Sequence, residues 1–329
     1  MPAPSTISRR RLLGLGAGCA FLAGCTLSDP TIEGPERTPP TATSPTPRPS
    51  PTPSPTVVGA RRAATTELAL ADLARAILTG PRRGGLSADQ RTLLTFLVGA
   101  HQAHATAFDP NAPARRPPTI DQLSIGQSLT QLARTETSAA KSHRAAALAV
   151  SGRDAARFGA AAIAADLYAG VIKRGHPVPV AGRTAASDLP LGTDVEAVQS
   201  LVAQLHAVVY GYQLAIGQLK VVSDRHDQAV AELLQLRIRR ERFITWLTRR
   251  SADVPEPEPA YRPTVEPRDP ATSAKLIRTM LVALQPFCAI WLAAAGDADR
   301  ESAFDTLGTM AGLARAWNAP LPIWPGGYD

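Results

Sequence analysis

Three histidines between residues 67 and 166, with three of the acids there, fall on helical stripes, and their types suit either a metal ion or a shared-proton network. Leu97, His101, His104 and Phe108 fall on one stripe of a helix, so both imidazoles are expected to face inward. Leu129, Leu132, Glu136, His143 and Val150 fall on a stripe of the next helix, which brings an acid and a third imidazole toward the same core. Glu67 on a preceding helix and Asp166 on a following one can complete a polar centre. Burying so many ionisable groups is costly unless they pair with one another or bind a cation. Two readings follow. His101 and His104 lie at a solvated stripe edge or bond to Glu136 in a dry network that fixes helix register. Alternatively, imidazole and carboxylate donors hold iron or another divalent metal in a mononuclear or degenerate site.

Other chemistry is weakly represented. No Ser/His/Asp order, Gly-rich phosphate loop or Cys/His pair stands out, and no catalytic residue is assigned. Cys288 lies on an apolar stripe, as an inert core thiol would. His206 beside Tyr210 reads as a satisfied core or interface pair, with a metal role as the alternative. Arg237, Arg239, Arg240, Arg242, Arg249 and Arg250 give one long helix a basic flank. That flank is either solvated, with its last pair favoured by the helix dipole, or a contact for anionic lipid or cell-wall polymer. Trp291, Trp317 and Trp324 read as packing residues rather than a ligand box.

The N-terminus reads as an export address. Arg9-Arg10-Arg11 precedes an apolar run through Leu12, Leu13, Leu15, Phe21 and Leu22, too short to remain as a membrane span. Its end, Leu22-Ala23-Gly24-Cys25, resembles the lipobox of bacterial lipoproteins, which implies lipidation of Cys25 and a membrane anchor on the extracytoplasmic face. Ser8 to Leu13 also resembles a twin-arginine signal, with Gly14 where a lysine often stands. An ordinary signal peptide ending in a chance cysteine is the alternative. The formal charge of +7 includes the three arginines before Cys25, leaving a mature chain at +4. That excess is too small and scattered to indicate nucleic acid, though it would favour an anionic surface. With Cys19 removed and Cys25 lipidated, Cys288 alone remains, so no intramolecular disulfide forms.

Residues 25–60 read as a proline-rich stalk, with prolines at nearly every second position from Pro45 to Pro55. Beyond it the periodicity is helical, with no alternating run of the β type, and an all-α fold is expected. Four helices are predicted over residues 61–180: Glu67 to Ile77, Ser87 to Phe108, Leu123 to Val150 and Asp154 to Lys173. Four more are predicted over 190–329. They open near the cap Asp194, at Asp224, at Pro270 and after Asp299, with a proline-rich crossover from Val254 to Pro259. Each set can close a four-helix core, giving two tandem bundles.

In the second set Leu205-His206-Ala207-Val208-Val209-Tyr210-Gly211-Tyr212, Pro259-Ala260-Tyr261 and the ending Trp317 to Gly326 resemble an uncharacterised ferritin-like domain family of exported actinobacterial proteins. The resemblance covers about Asp194 to Gly327 and extends to the first set on helix pattern alone. It implies four helices with a long second-to-third crossover, and raises the question of a di-iron centre. Such a centre requires Glu on two helices and Glu-x-x-His on two others, but this chain has no Glu-x-x-His. Leu205 stands where the family usually has Glu, Leu276 to Trp291 holds no carboxylate, and Ala169 stands where a fourth-helix histidine is needed. The leading expectation is therefore a non-enzymatic envelope lipoprotein with no cofactor, an unidentified protein partner and no nucleic-acid ligand. Its rival is a metal-binding or iron-oxidising protein using the first set.

Overall fold

Alanine-rich stretches carrying one large apolar residue per turn bury best as helices packed side by side, because small residues let neighbouring backbones approach. The computed structural model describes residues 55–113, 123–175, 179–180 and 192–327. The expected signal peptide, Cys25 and the stalk up to residue 54 lie outside the described residues. The described chain forms α1 (Pro55–Thr79), α2 (Ala88–Phe108), α3 (Ile125–Ala149), α4 (Gly152–Arg174), α5 (Asp194–Ile216), α6 (Asp224–Arg249), α7 (Pro270–Ala294) and α8 (Asp297–Ala316). Among the described residues there is no strand, only an isolated bridge between Val180 and Leu321. The fold is all-α.

The ends follow local chemistry. Ser87 with Gln90, Ser124 with Gln127, Thr193 with Glu196 and Asp269 with Thr272 form reciprocal capping boxes. Thr193, not the expected Asp194, caps α5, since its hydroxyl accepts from the Glu196 amide. Helix α1 begins at Pro55, inside the stretch expected to be stalk. Pro55 ends the proline series, and proline suits the first helical turn, so nothing interrupts helix from Thr56 to Thr79.

Within the first four helices α1 lies beside α2 and α3, and α3 packs along α4. The second four repeat this scheme: α5 lies beside α6 and α7, and α7 beside α8. Helix α4 also packs against α7 and α8, so one continuous apolar core runs from Leu70 and Leu97 through Tyr168 to Leu276 and Leu307. Among the described residues two helices, α4 and α7, are long and apolar enough to cross a membrane. Their burial in this core accounts for that composition.

Where α4 meets α7, a Cβ at Gly159 would overlap the Leu292 side chain. Buried Arg300 ties the same region together, donating to the Leu148 carbonyl at the end of α3 and to the Ala295 carbonyl. Gly159→Val is expected to destabilise the protein by about 1–3 kcal/mol through overpacking. Urea denaturation measures it, and an unchanged midpoint would mean α4 and α7 can separate freely.

Candidate functional site

Glu67 lies mid-way along α1, with His101 and His104 on α2 and Glu136 and His143 on α3, and all five are buried. Glu67 Oε2 is 2.6 Å from His101 Nδ1 and 3.0 Å from His104 Nδ1. Its Oε1 is 2.7 Å from His143 Nε2. One carboxylate thus meets three imidazoles drawn from two other helices. The outer nitrogens of the α2 pair are also held: His101 Nε2 lies 2.8 Å from Glu136 Oε1, and His104 Nε2 lies 2.7 Å from the Ile323 carbonyl.

Hydrogen positions follow from what each oxygen can do. The Ile323 carbonyl only accepts, so His104 Nε2 donates to it. Glu136, when ionised, likewise accepts from His101 Nε2. A metal-binding histidine characteristically has its far N–H held by such an acceptor, which leaves the near nitrogen for the ion. Here both near nitrogens are Nδ1, and both face Glu67 Oε2. The His101, His104 and Glu67 donor atoms lie within 4.8 Å of one another. Glu136 Oε2, buried in the same centre, has no hydrogen-bond partner.

The electrostatics depend on this coupling. Burial pushes Glu67 upward, but the charges on His104 and His101 and their hydrogen bonds outweigh it and hold the carboxyl well below the usual range. Burial opposes a charge on His101, yet the Glu136 and Glu67 carboxylates raise it to about 10. Glu136 is raised, chiefly by burial, with His101 pulling the other way.

A dry shell encloses these groups. Phe108 stacks on His143 at 5.6 Å, and Tyr168 meets His101 edge-on at 5.7 Å. The C-terminal segment after α8 closes the remaining side. The Trp324 ring lies 4.3 Å from that of His104, and the Pro322 carbonyl accepts from the Tyr168 hydroxyl at 2.7 Å. Leu321 donates to the Pro179 carbonyl, so the segment forms a strap across the first four helices.

Of the residues expected in this centre, Asp166 is not there. It is exposed, in a groove lined by Lys141 and Arg144. Helix phase explains the correction: Tyr168, two residues on and about 200° around the helix, faces inward, so Asp166 faces out. His206 and Tyr210 do not pair with each other among the contacts seen. His206 Nε2 donates to the Pro255 carbonyl at 3.1 Å, and Tyr210 packs on Tyr261 at 5.7 Å, so both brace the crossover. Cys288 is buried, and burial pushes its thiol up to about 12, which leaves it unreactive.

A further buried acid, Glu232, lies outside this centre and outside the sequence expectations. Glu232 on α6 accepts from the Tyr212 hydroxyl at 2.8 Å, Trp317 Nε1 at 2.6 Å and Gln228 at 2.8 Å. Its position four residues before the core residue Leu236 was the available signal. With three neutral donors and no histidine, it joins α5, α6 and the end of α8, a structural role.

Residues 197–329 match the family model described as a domain of unknown function (DUF4439). The matched residues take in nearly all of the second four helices together with the strap, and leave the five residues of the buried centre outside. Their own contribution to that centre is Ile323 and Trp324. No curated protein and no solved structure matches the chain.

Two outcomes follow. His101 is raised in the folded state from an ordinary 6.5 to about 10, so its stabilising contribution is complete below pH 6.5 and is lost as pH rises through 10. Chemical denaturation of metal-free protein should therefore show stability falling over that range, and His101→Gln should flatten the fall; an equal slope in both proteins contradicts the assignment. Trp324→Ala should cost about 3–5 kcal/mol, as for other buried tryptophans. A loss under 1 kcal/mol would show that the strap contributes little to closing the centre.

Proposed function

We propose that this chain is an exported, lipid-anchored envelope protein whose two helical sets are ferritin-like bundles, and whose first set holds one divalent transition-metal ion at Glu67, His101 and His104. The observation that carries this reading is the convergence of two Nδ1 atoms on one carboxylate oxygen, with both Nε2–H groups already committed to acceptors. Two imidazoles and a carboxylate suit zinc or ferrous iron. The orphaned Glu136 Oε2 adds a nearby oxygen donor. Such an ion would supply positive charge and Lewis acidity at the centre. Glu67 would bind it, His143 would orient the carboxylate through Oε1, and Phe108, Tyr168 and Trp324 would exclude water. Enclosure by the strap favours holding an ion over turning over a substrate.

A second reading is favoured by charge balance. With a hydrogen in every contact and both carboxylates ionised, His101 and His104 carry two positive charges against two negative ones, and His143 needs only its Nε2 hydrogen. The same cluster then acts as a metal-free structural lock within an interaction module. One divalent ion carries the same charge as the two protons between Glu67 and the Nδ1 atoms, so uptake should release protons to the buffer. Elemental analysis of protein purified without chelator separates the readings. Stoichiometric metal, abolished by His104→Ala and weakened by Glu136→Ala in folded protein, is expected. Metal-free protein that takes up neither zinc nor ferrous iron would leave the structural lock.

A further inference from the structure

The outward face of α6 has the wrong composition for a helix that meets only water. Val230, Leu234 and Ile238, at successive i+4 positions, are 45%, 56% and 38% exposed, and the turn leading into the helix adds Val221 and Val222 at 75% and 96%. These five are most of the large apolar residues exposed among the described residues. A surface helix of a bundle normally carries polar residues opposite its core stripe, here Leu233, Leu236, Phe243 and Leu247. Toward the C-terminal end, Arg237, Arg242 and Arg249 flank the same face and line a groove of about 720 Å³ together with Trp246 and with two acids, Glu241 and Asp299, that other arginines already neutralise. All three are exposed and have no carboxylate partner among the described residues, whereas Arg240 pairs with Glu241, and Arg250 with Asp299.

We propose that this face of α6 docks onto a bilayer surface rich in anionic phospholipid. The aliphatic row would enter the headgroup boundary, and the unpaired guanidiniums would bind lipid phosphates. Charge complementarity decides the occupant. A second copy packed with its α6 parallel would set these arginines against one another, and an antiparallel one would offer them only Asp224 and Asp227, whereas an anionic leaflet neutralises all three at once. Guanidiniums also suit phosphate, because their planar fork binds two oxygens at once. The helix has 26 residues and so runs about 39 Å, long enough to lie along a membrane plane. The reading is independent of the metal centre, since none of these residues touches it.

The test is co-sedimentation of the chain from residue 25 onward carrying Cys25→Ala, so that neither the cationic, apolar export segment nor an acyl group contributes, with phosphatidylcholine vesicles with or without phosphatidylglycerol. Binding is expected only with phosphatidylglycerol, and should weaken as salt is raised. The combined Arg237→Ala, Arg242→Ala and Arg249→Ala variant should lose on the order of 100-fold in partitioning, with its helical content unchanged. Leu234→Asp should also lose binding. Equal partitioning onto both vesicle types, or no effect of the arginine substitutions, would overturn the proposal. So would a Leu234-dependent dimer in solution without vesicle binding.

Discussion

A carboxylate buried in the middle of α1 can stay ionised only if neighbouring groups replace the water it has lost, and the packing of the first four helices follows from how Glu67 meets that demand. His101 and His104 reach it from α2 and His143 from α3, which fixes the rotation and register of both helices relative to α1. The demand then propagates outward. His101 needs an acceptor for its other nitrogen and finds Glu136, while His104 finds the Ile323 carbonyl. Each step satisfies one group by recruiting the next, until the chain of partners ends on the backbone of a distant segment. Such a network specifies one arrangement of helices more sharply than apolar packing, because an unmet partner anywhere in it costs more than a small void.

The second four helices use the same neighbour scheme for a different purpose. Their buried acid, Glu232, lies near one end and is met by a phenol, an indole and an amide rather than by imidazoles. The middle of that set is filled by Leu201, Leu276, Leu284 and Trp291. It is an apolar support, joined to the first set along α4 and α7 and extended by the strap over the buried centre. Polar specificity and apolar bulk are thus divided between two similar frames.

Much of this was legible in the residues. Helical phase placed His101, His104, Glu136 and His143 inward because a period of 3.6 leaves little freedom over two or three turns. Asp166 lies on the right helix but on its outer face, and Tyr168, which does face inward, has the sequence signature of ordinary packing. His206 is buried, as a core residue would be, but it and Tyr210 each meet a crossover residue whose position no periodicity encodes. The role of Ile323 was beyond reach because a carbonyl contribution has no side-chain signature. Trp324 does pack, as its type suggests, but against a residue of the other set.

The strap gives the molecule an order of assembly. His104 and the carbonyl that fixes its tautomer are 219 positions apart, so synthesis can finish the first four helices long before their polar heart is closed. During that interval the three imidazoles and two acids stand in an unsealed cleft, open to water and to dissolved ions. Closure requires the chain beyond α8 to be laid over Tyr168 and His104. The C-terminal segment is thus the stopper of a cleft whose side chains all come from the other end of the chain.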